Sequence, residues 1–110
     1  MKNILKGNQK LILIIALVII GCGPSVFKPV LSDVESGRHT YADLSLEQLN
    51  KGYVLYADKC GSCHLLFKPK NISNERWEEM LPKMKIEAKL TDLEFDLIKR
   101  YLKAKIVNPL

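Results

Sequence analysis

The sequence predicts an all-α domain of three to four short helices. Two capping boxes, Ser45-Leu46-Glu47-Gln48 and Thr91-Asp92-Leu93-Glu94, mark helix starts: the hydroxyl can accept from the third residue on, which reaches back in turn. Apolar residues after each box recur at helical spacing. No strand-rich segment competes with them.

The helix behind Ser45 is expected to run through Leu49, Tyr53 and Tyr56 toward Cys60. Gly52 interrupts it at a cost of about 1 kcal/mol relative to Ala, and a Gly inside a helix often marks a close backbone crossing. Ser73-Asn74-Glu75 offers a cap and a first-turn acid for a second helix, on which Trp77, Met80, Leu81 and Met84 share one stripe. Pro82 lies within it and, lacking an N–H, should kink or end it nearby. Behind Thr91, Phe95, Leu97, Ile98, Tyr101 and Leu102 form the best amphipathic stripe of the chain, expected to end near Lys103 to Lys105. Residues 22–43 carry Gly-Pro, Lys-Pro, Ser-Asp and Ser-Gly breaks without a sustained period, so they read as a tether with irregular packing and with His39 exposed on it. The domain proper is then 44–110.

Most of the chemistry is written in Cys60-Gly61-Ser62-Cys63-His64. Two thiols two residues apart can add to the two vinyl groups of one haem, and the adjacent imidazole is then placed to bind its iron. A redox dithiol, half of a zinc site or a structural disulfide are the other readings. Zinc needs about four ligands, and with Cys22 set aside only His64 and His39 accompany this pair. A thioredoxin-like dithiol would sit in a βαβ pattern. One covalent haem c is therefore the expected cofactor.

Haem attachment of this kind takes place outside the cytoplasm, and the N-terminus carries a matching export signal. Lys2, Lys6 and Lys10 precede the apolar run Leu11 to Ile20, which is shorter than the roughly 20 residues of a spanning helix; an uncleaved anchor that uses flanking residues to reach across the bilayer is the other reading. Ile19-Ile20-Gly21-Cys22 resembles the lipobox of bacterial lipoproteins, so residues 1–21 would be a lipoprotein signal peptide and Cys22 the lipidated first residue. This accounts for an odd count of three cysteines: one for lipid, two for haem. More than one acyl chain on Cys22 would hold the domain on a membrane surface. Residues 1–21 hold three Lys and no acid, so 14 basic residues face 12 acidic ones in the remainder. That balance, without a basic run interleaved with aromatics, excludes nucleic acid as the expected partner.

Gly52, Tyr56, Cys60, Cys63 and His64 match the pattern Gly-x-x-x-aromatic-x-x-x-Cys-x-x-Cys-His, and from Ser45 to Lys103 the chain resembles the monohaem class I cytochromes c. The resemblance implies a cytochrome c fold, with its helices wrapped around one covalently bound haem. It implies that the first and last helices cross at Gly52 with Tyr101 close by. It also implies that the Pro69 carbonyl accepts from the second ring nitrogen of His64, the proximal ligand. Spacing alone does not separate Met84 from Met80 as the sixth ligand. In a bacterial subgroup a Trp precedes the ligand Met by seven positions, as Trp77 precedes Met84, which favours Met84 and makes Trp77 a wall of the haem pocket; plain helix packing is its other reading.

With His64 and Met84 on iron, the expectation is an electron carrier and not an enzyme, exchanging electrons with redox partner proteins on the periplasmic side of a bacterial membrane. No nucleophile–base pair, phosphate loop or carboxylate dyad argues for other chemistry. A haem-based sensor with a weak or absent sixth ligand, or a haem subunit of a larger oxidoreductase complex, is the alternative. A structural lipoprotein without haem is a third.

Overall fold

Backbone capping sets where the helices of this chain begin. The computed structural model describes residues 27–110; the expected signal peptide and Cys22 lie outside the described residues. Among the described residues four α-helices follow in order: α1 (Leu31–Gly37), α2 (Leu46–Leu55), α3 (Asn74–Glu87) and α4 (Asp92–Val107). A π-helical turn, Tyr56–Cys60, continues α2, and a 3₁₀ turn, Pro69–Asn71, precedes α3. The all-α expectation holds, with no strand among the described residues.

Both capping boxes form. Ser45 Oγ accepts from the Gln48 N–H, and the Ser45 N–H donates to Gln48 Oε1, each at 3.2 Å. Thr91 and Glu94 repeat the exchange at 2.8 and 3.2 Å. Ser73 Oγ accepts from the Arg76 N–H at 3.2 Å to start α3. Each satisfies N–H groups that a helix start otherwise leaves unpaired.

Part of the segment expected to be an irregular tether is helical. α1 has no hydroxyl cap; instead the Asp33 carboxylate reaches back to accept from the Val30 N–H at 2.8 Å. Asp33 is buried, and it also accepts from Lys105 Nζ at 3.0 Å and Asn108 Nδ2 at 2.7 Å. A helix this short is marginal alone, so these contacts from the far end of the chain hold it. α4 accordingly runs past Lys105 to Val107, with Ala104 buried and the Asn108 N–H donating to the Ala104 carbonyl.

α3 passes through Pro82 and ends at Glu87. Proline costs one donor, and Glu78, whose carbonyl it would have served, is exposed, so water can replace the bond. The helix stops where Lys89 takes a left-handed φ of 53° and the Leu90 N–H closes back on the Lys85 carbonyl at 3.0 Å.

α4 packs chiefly on α2 and next on α1. The crossing with α2 falls at Gly52, where a Cβ would run into the Leu97 carbonyl oxygen and lie 2.8 Å from Tyr101 Cβ. The expected crossing at Gly52, with Tyr101 beside it, is therefore present. Around it the rings of Tyr53 and Tyr56 lie 5.8 and 5.7 Å from that of Tyr101, and Trp77 meets Tyr56 edge-on at 6.2 Å. Such aromatic pairs contribute about 0.5–1.5 kcal/mol each beyond area burial.

Candidate functional site

The path of α2 beyond Leu55 determines where the two motif thiols sit. Its last turn widens into the π-helical Tyr56–Cys60, a device that often marks functional sites. Cys60 ends this turn buried, while Cys63, one tight turn later, is exposed; both thiols are free. The turn leaves no room for a side chain at Gly61, because a Cβ there would collide with the Ala57 carbonyl oxygen. Sequence reasoning treated Gly61 as a free position of the motif.

Burial pushes the Cys60 thiol up, and negative charge on Cys63 would push it further. A reactive dithiol shows the opposite, a depressed value. Among the described residues no group of three or more His, Cys, Asp and Glu gathers to hold a metal ion, so the zinc reading finds no site there.

His64 is exposed, with its ring centroid 5.5 Å from that of Phe67. Its Nδ1 lies 2.8 Å from the Leu65 carbonyl oxygen. A carbonyl only accepts, so Nδ1 is the donor in this contact, and Nε2 is the ring nitrogen left to meet a metal. The Pro69 carbonyl, expected to be the partner of His64, is taken by the Trp77 indole N–H at 2.9 Å. Trp77 is fully buried and is absent from the lining of the cleft around the motif. The structure thus favours the packing reading of this residue: it pins the 3₁₀ turn to α3.

A second bond pins the same loop. The Tyr56 hydroxyl donates to the Phe67 carbonyl at 2.6 Å, and burial drives its pKa well above the usual phenol range. The sequence marked Tyr56 as an aromatic but showed nothing of this role, since the acceptor is a backbone oxygen eleven residues on.

Cys60, Cys63, His64 and Met84 line one cleft, together with Lys59, Glu87 and Ala88. Met80 packs half-buried against the core and is not among the lining residues. His39 is exposed in the turn after α1. Two thiols, an imidazole and a thioether in one cleft are a donor set that fits haem c. Leu65 and Phe67, next to His64, remain 91% and 44% exposed, apolar surface of the kind a macrocycle covers.

The family described as dihaem cytochrome c matches residues 56–108, just under half of the chain. No curated protein and no solved structure matches the chain. The family match supports a c-type cytochrome, covalently bound haem c and haem-based electron transfer. It does not support the narrower monohaem class I assignment: the family's description is dihaem, whereas this sequence contains a single Cys-x-x-Cys-His run.

Proposed function

We propose that this chain is an electron-transfer protein, not an enzyme, with one haem c on Cys60 and Cys63, His64 and Met84 as axial iron ligands, and lipid on Cys22 holding it at the extracytoplasmic surface of a bacterial membrane. One observation carries the reading: both thiols, His64 and Met84 line the same cleft. Bound there, haem supplies an Fe(III)/Fe(II) couple.

The chain's own residues have distinct tasks. Cys60 and Cys63 provide the two thioether positions. The Leu65 carbonyl holds His64 Nδ1 and so orients Nε2 as the donor, a second contact of the kind that fixes ligand rings. Met84 provides a soft thioether, which favours the reduced state relative to a second imidazole. If His64 and Met84 both hold the iron, no place would remain there for a substrate, which favours a carrier over a sensor. A single haem is supported by the cysteine count, since Cys22 is the only other thiol. The lipid anchor is supported by Ile19-Ile20-Gly21-Cys22 at the end of the apolar run. Donor and acceptor would be proteins that dock where the cleft opens.

Mass spectrometry of the mature protein after denaturation should find one haem retained, and Cys60→Ala with Cys63→Ala should lose it. Free thiols without haem would reject the carrier, and two haem masses would reject the single site. Cys22→Ala should release the domain from membranes or block its processing, leaving haem attachment unchanged.

A further inference from the structure

The chain enters the fold at a corner that is fixed by α4. Tyr101 donates its hydroxyl to the Phe27 carbonyl at 2.6 Å, and Lys105 Nζ donates to the Lys28 carbonyl at 2.8 Å. Beside this entry lies a cleft of about 490 Å³, lined among others by Lys28, Lys68, Lys70, Val30 and Leu110.

The charges there are unbalanced. Asp33 also lines the cleft, but it is buried and paired with Lys105. Lys28, Lys68 and Lys70 are exposed and take part in no ion pair among the described residues. Three ammonium groups outside any ion pair among the described residues therefore rim one opening. Between them stand apolar side chains left in water: Val30 is 50% and Leu110 88% exposed. Lysines around protruding apolar groups are the composition of surfaces that rest on anionic lipid, where the ammonium groups meet phosphates and the apolar groups sink to the acyl boundary.

We propose that this corner is a docking face for an anionic phospholipid surface, so that the domain lies against the membrane by the Lys28, Lys68, Lys70, Val30 and Leu110 face. The inference rests on the lipidation of Cys22 for the position of the tether. Four residues lie between Cys22 and Phe27, and the five Cα-to-Cα steps, at ~3.6 Å each, span at most about 18 Å. A lipid on Cys22 cannot lie farther than that from the corner, so this is the face the membrane meets first. The anchor supplies proximity; the lysines select the orientation.

The test uses the full haem-loaded lipoprotein with vesicles of phosphatidylcholine alone or mixed with phosphatidylglycerol, read by flotation and by amide hydrogen exchange. Flotation with both kinds is expected, with exchange at 28–33, 68–72 and 106–110 slowed several-fold only on anionic vesicles. Added salt should abolish that protection, and so should Lys28→Glu, Lys68→Glu and Lys70→Glu combined. Each lysine near an anionic surface is worth about fivefold in partitioning, so the triple variant should lose the effect outright. Flotation with anionic vesicles alone would support the face and reject the anchor. Flotation with both kinds but equal exchange would overturn the face while keeping the anchor, leaving the cleft to an acidic protein. Flotation with neither overturns both.

Discussion

Replacing Gly52 by Ala sets two effects of opposite sign against each other, so the outcome separates a tight helix crossing from a glycine that is merely tolerated. Helix propensity alone would make the change stabilising by about 1 kcal/mol. The new methyl carbon, however, would sit 2.8 Å from Tyr101 Cβ and 2.9 Å from the Leu97 carbonyl carbon, and nearer still to that carbonyl's oxygen. Ordinary carbon contacts lie at roughly 3.5–4.0 Å, so α2 and α4 must part by about 1 Å. Two of the three obstacles are backbone, which cannot rotate aside, placing the overpacking cost at the upper end of about 1–3 kcal/mol. The net loss is about 2 kcal/mol. At about 4–8 °C per kcal/mol for a domain this size, Tm should fall by about 8–16 °C. Thermal unfolding of the haem-loaded protein followed by far-ultraviolet circular dichroism measures it. An unchanged or raised Tm would refute the tight crossing and with it the role of Gly52 in placing α2.

Three further outcomes are expected. Met84→Ala should open the sixth iron position, change the low-spin spectrum and lower the reduction potential, whereas Met80→Ala, half-buried and outside the cleft, should cost no more than about 2 kcal/mol of packing and leave the spectrum intact; a reversed result moves the ligand one turn back, and no change in either removes methionine from the iron. Burial raises the phenol pKa values of Tyr56 and Tyr101, so their stabilising contribution is complete below the unfolded value of about 10 and declines as pH rises above it, where only the unfolded chain ionises. Tyr56→Phe should flatten that alkaline loss in denaturant titrations while costing about 1 kcal/mol at neutral pH for the Phe67 bond, and equal slopes would contradict the assignment. Lys105→Met should destabilise by about 3–5 kcal/mol because Asp33 stays buried without its cation, with partial recovery in Asp33→Asn Lys105→Met; an unaffected single variant would show that the neutral donors suffice.

What was legible in the sequence was local. Ser45 with Gln48, Ser73, and Thr91 with Glu94 each place donor and acceptor within three residues, and all three helix starts form where these signals fall. The Cys-x-x-Cys-His run is likewise local, and the stripe that holds Met84 is periodic. α1 was missed because its start uses Val30, which carries no capping group, and its anchor is an ion pair across more than seventy residues. The Trp77 and Tyr56 bonds were illegible for a related reason: both acceptors are backbone carbonyls, which every residue owns and none advertises. Pro82 did not mark the helix end, which falls at Glu87, because a proline's cost depends on whether water can reach the abandoned carbonyl, a property of the surface and not of the residue.

The same bonds explain how a small domain can hold a largely exposed motif in place. Small domains bury too little apolar surface to fix loops by packing alone. Here the loop after His64 is tied at two successive points: Phe67 through Tyr56 on the π-helical turn, and Pro69 through Trp77 on α3. The first tie links the loop to the turn that carries Cys60, and the second links it to the helix that carries Met84. α2 is itself positioned by the Gly52 crossing with α4, whose other end pins the entering chain through Tyr101 and Lys105. One continuous path of contacts therefore runs from the corner where the chain enters to the cleft. Lys68 and Lys70 flank Pro69 on the tied loop, so a surface that orients the domain through those lysines also orients the cleft. A lipid on Cys22 alone would leave the domain free to swivel; contact through this loop would fix which way the motif faces.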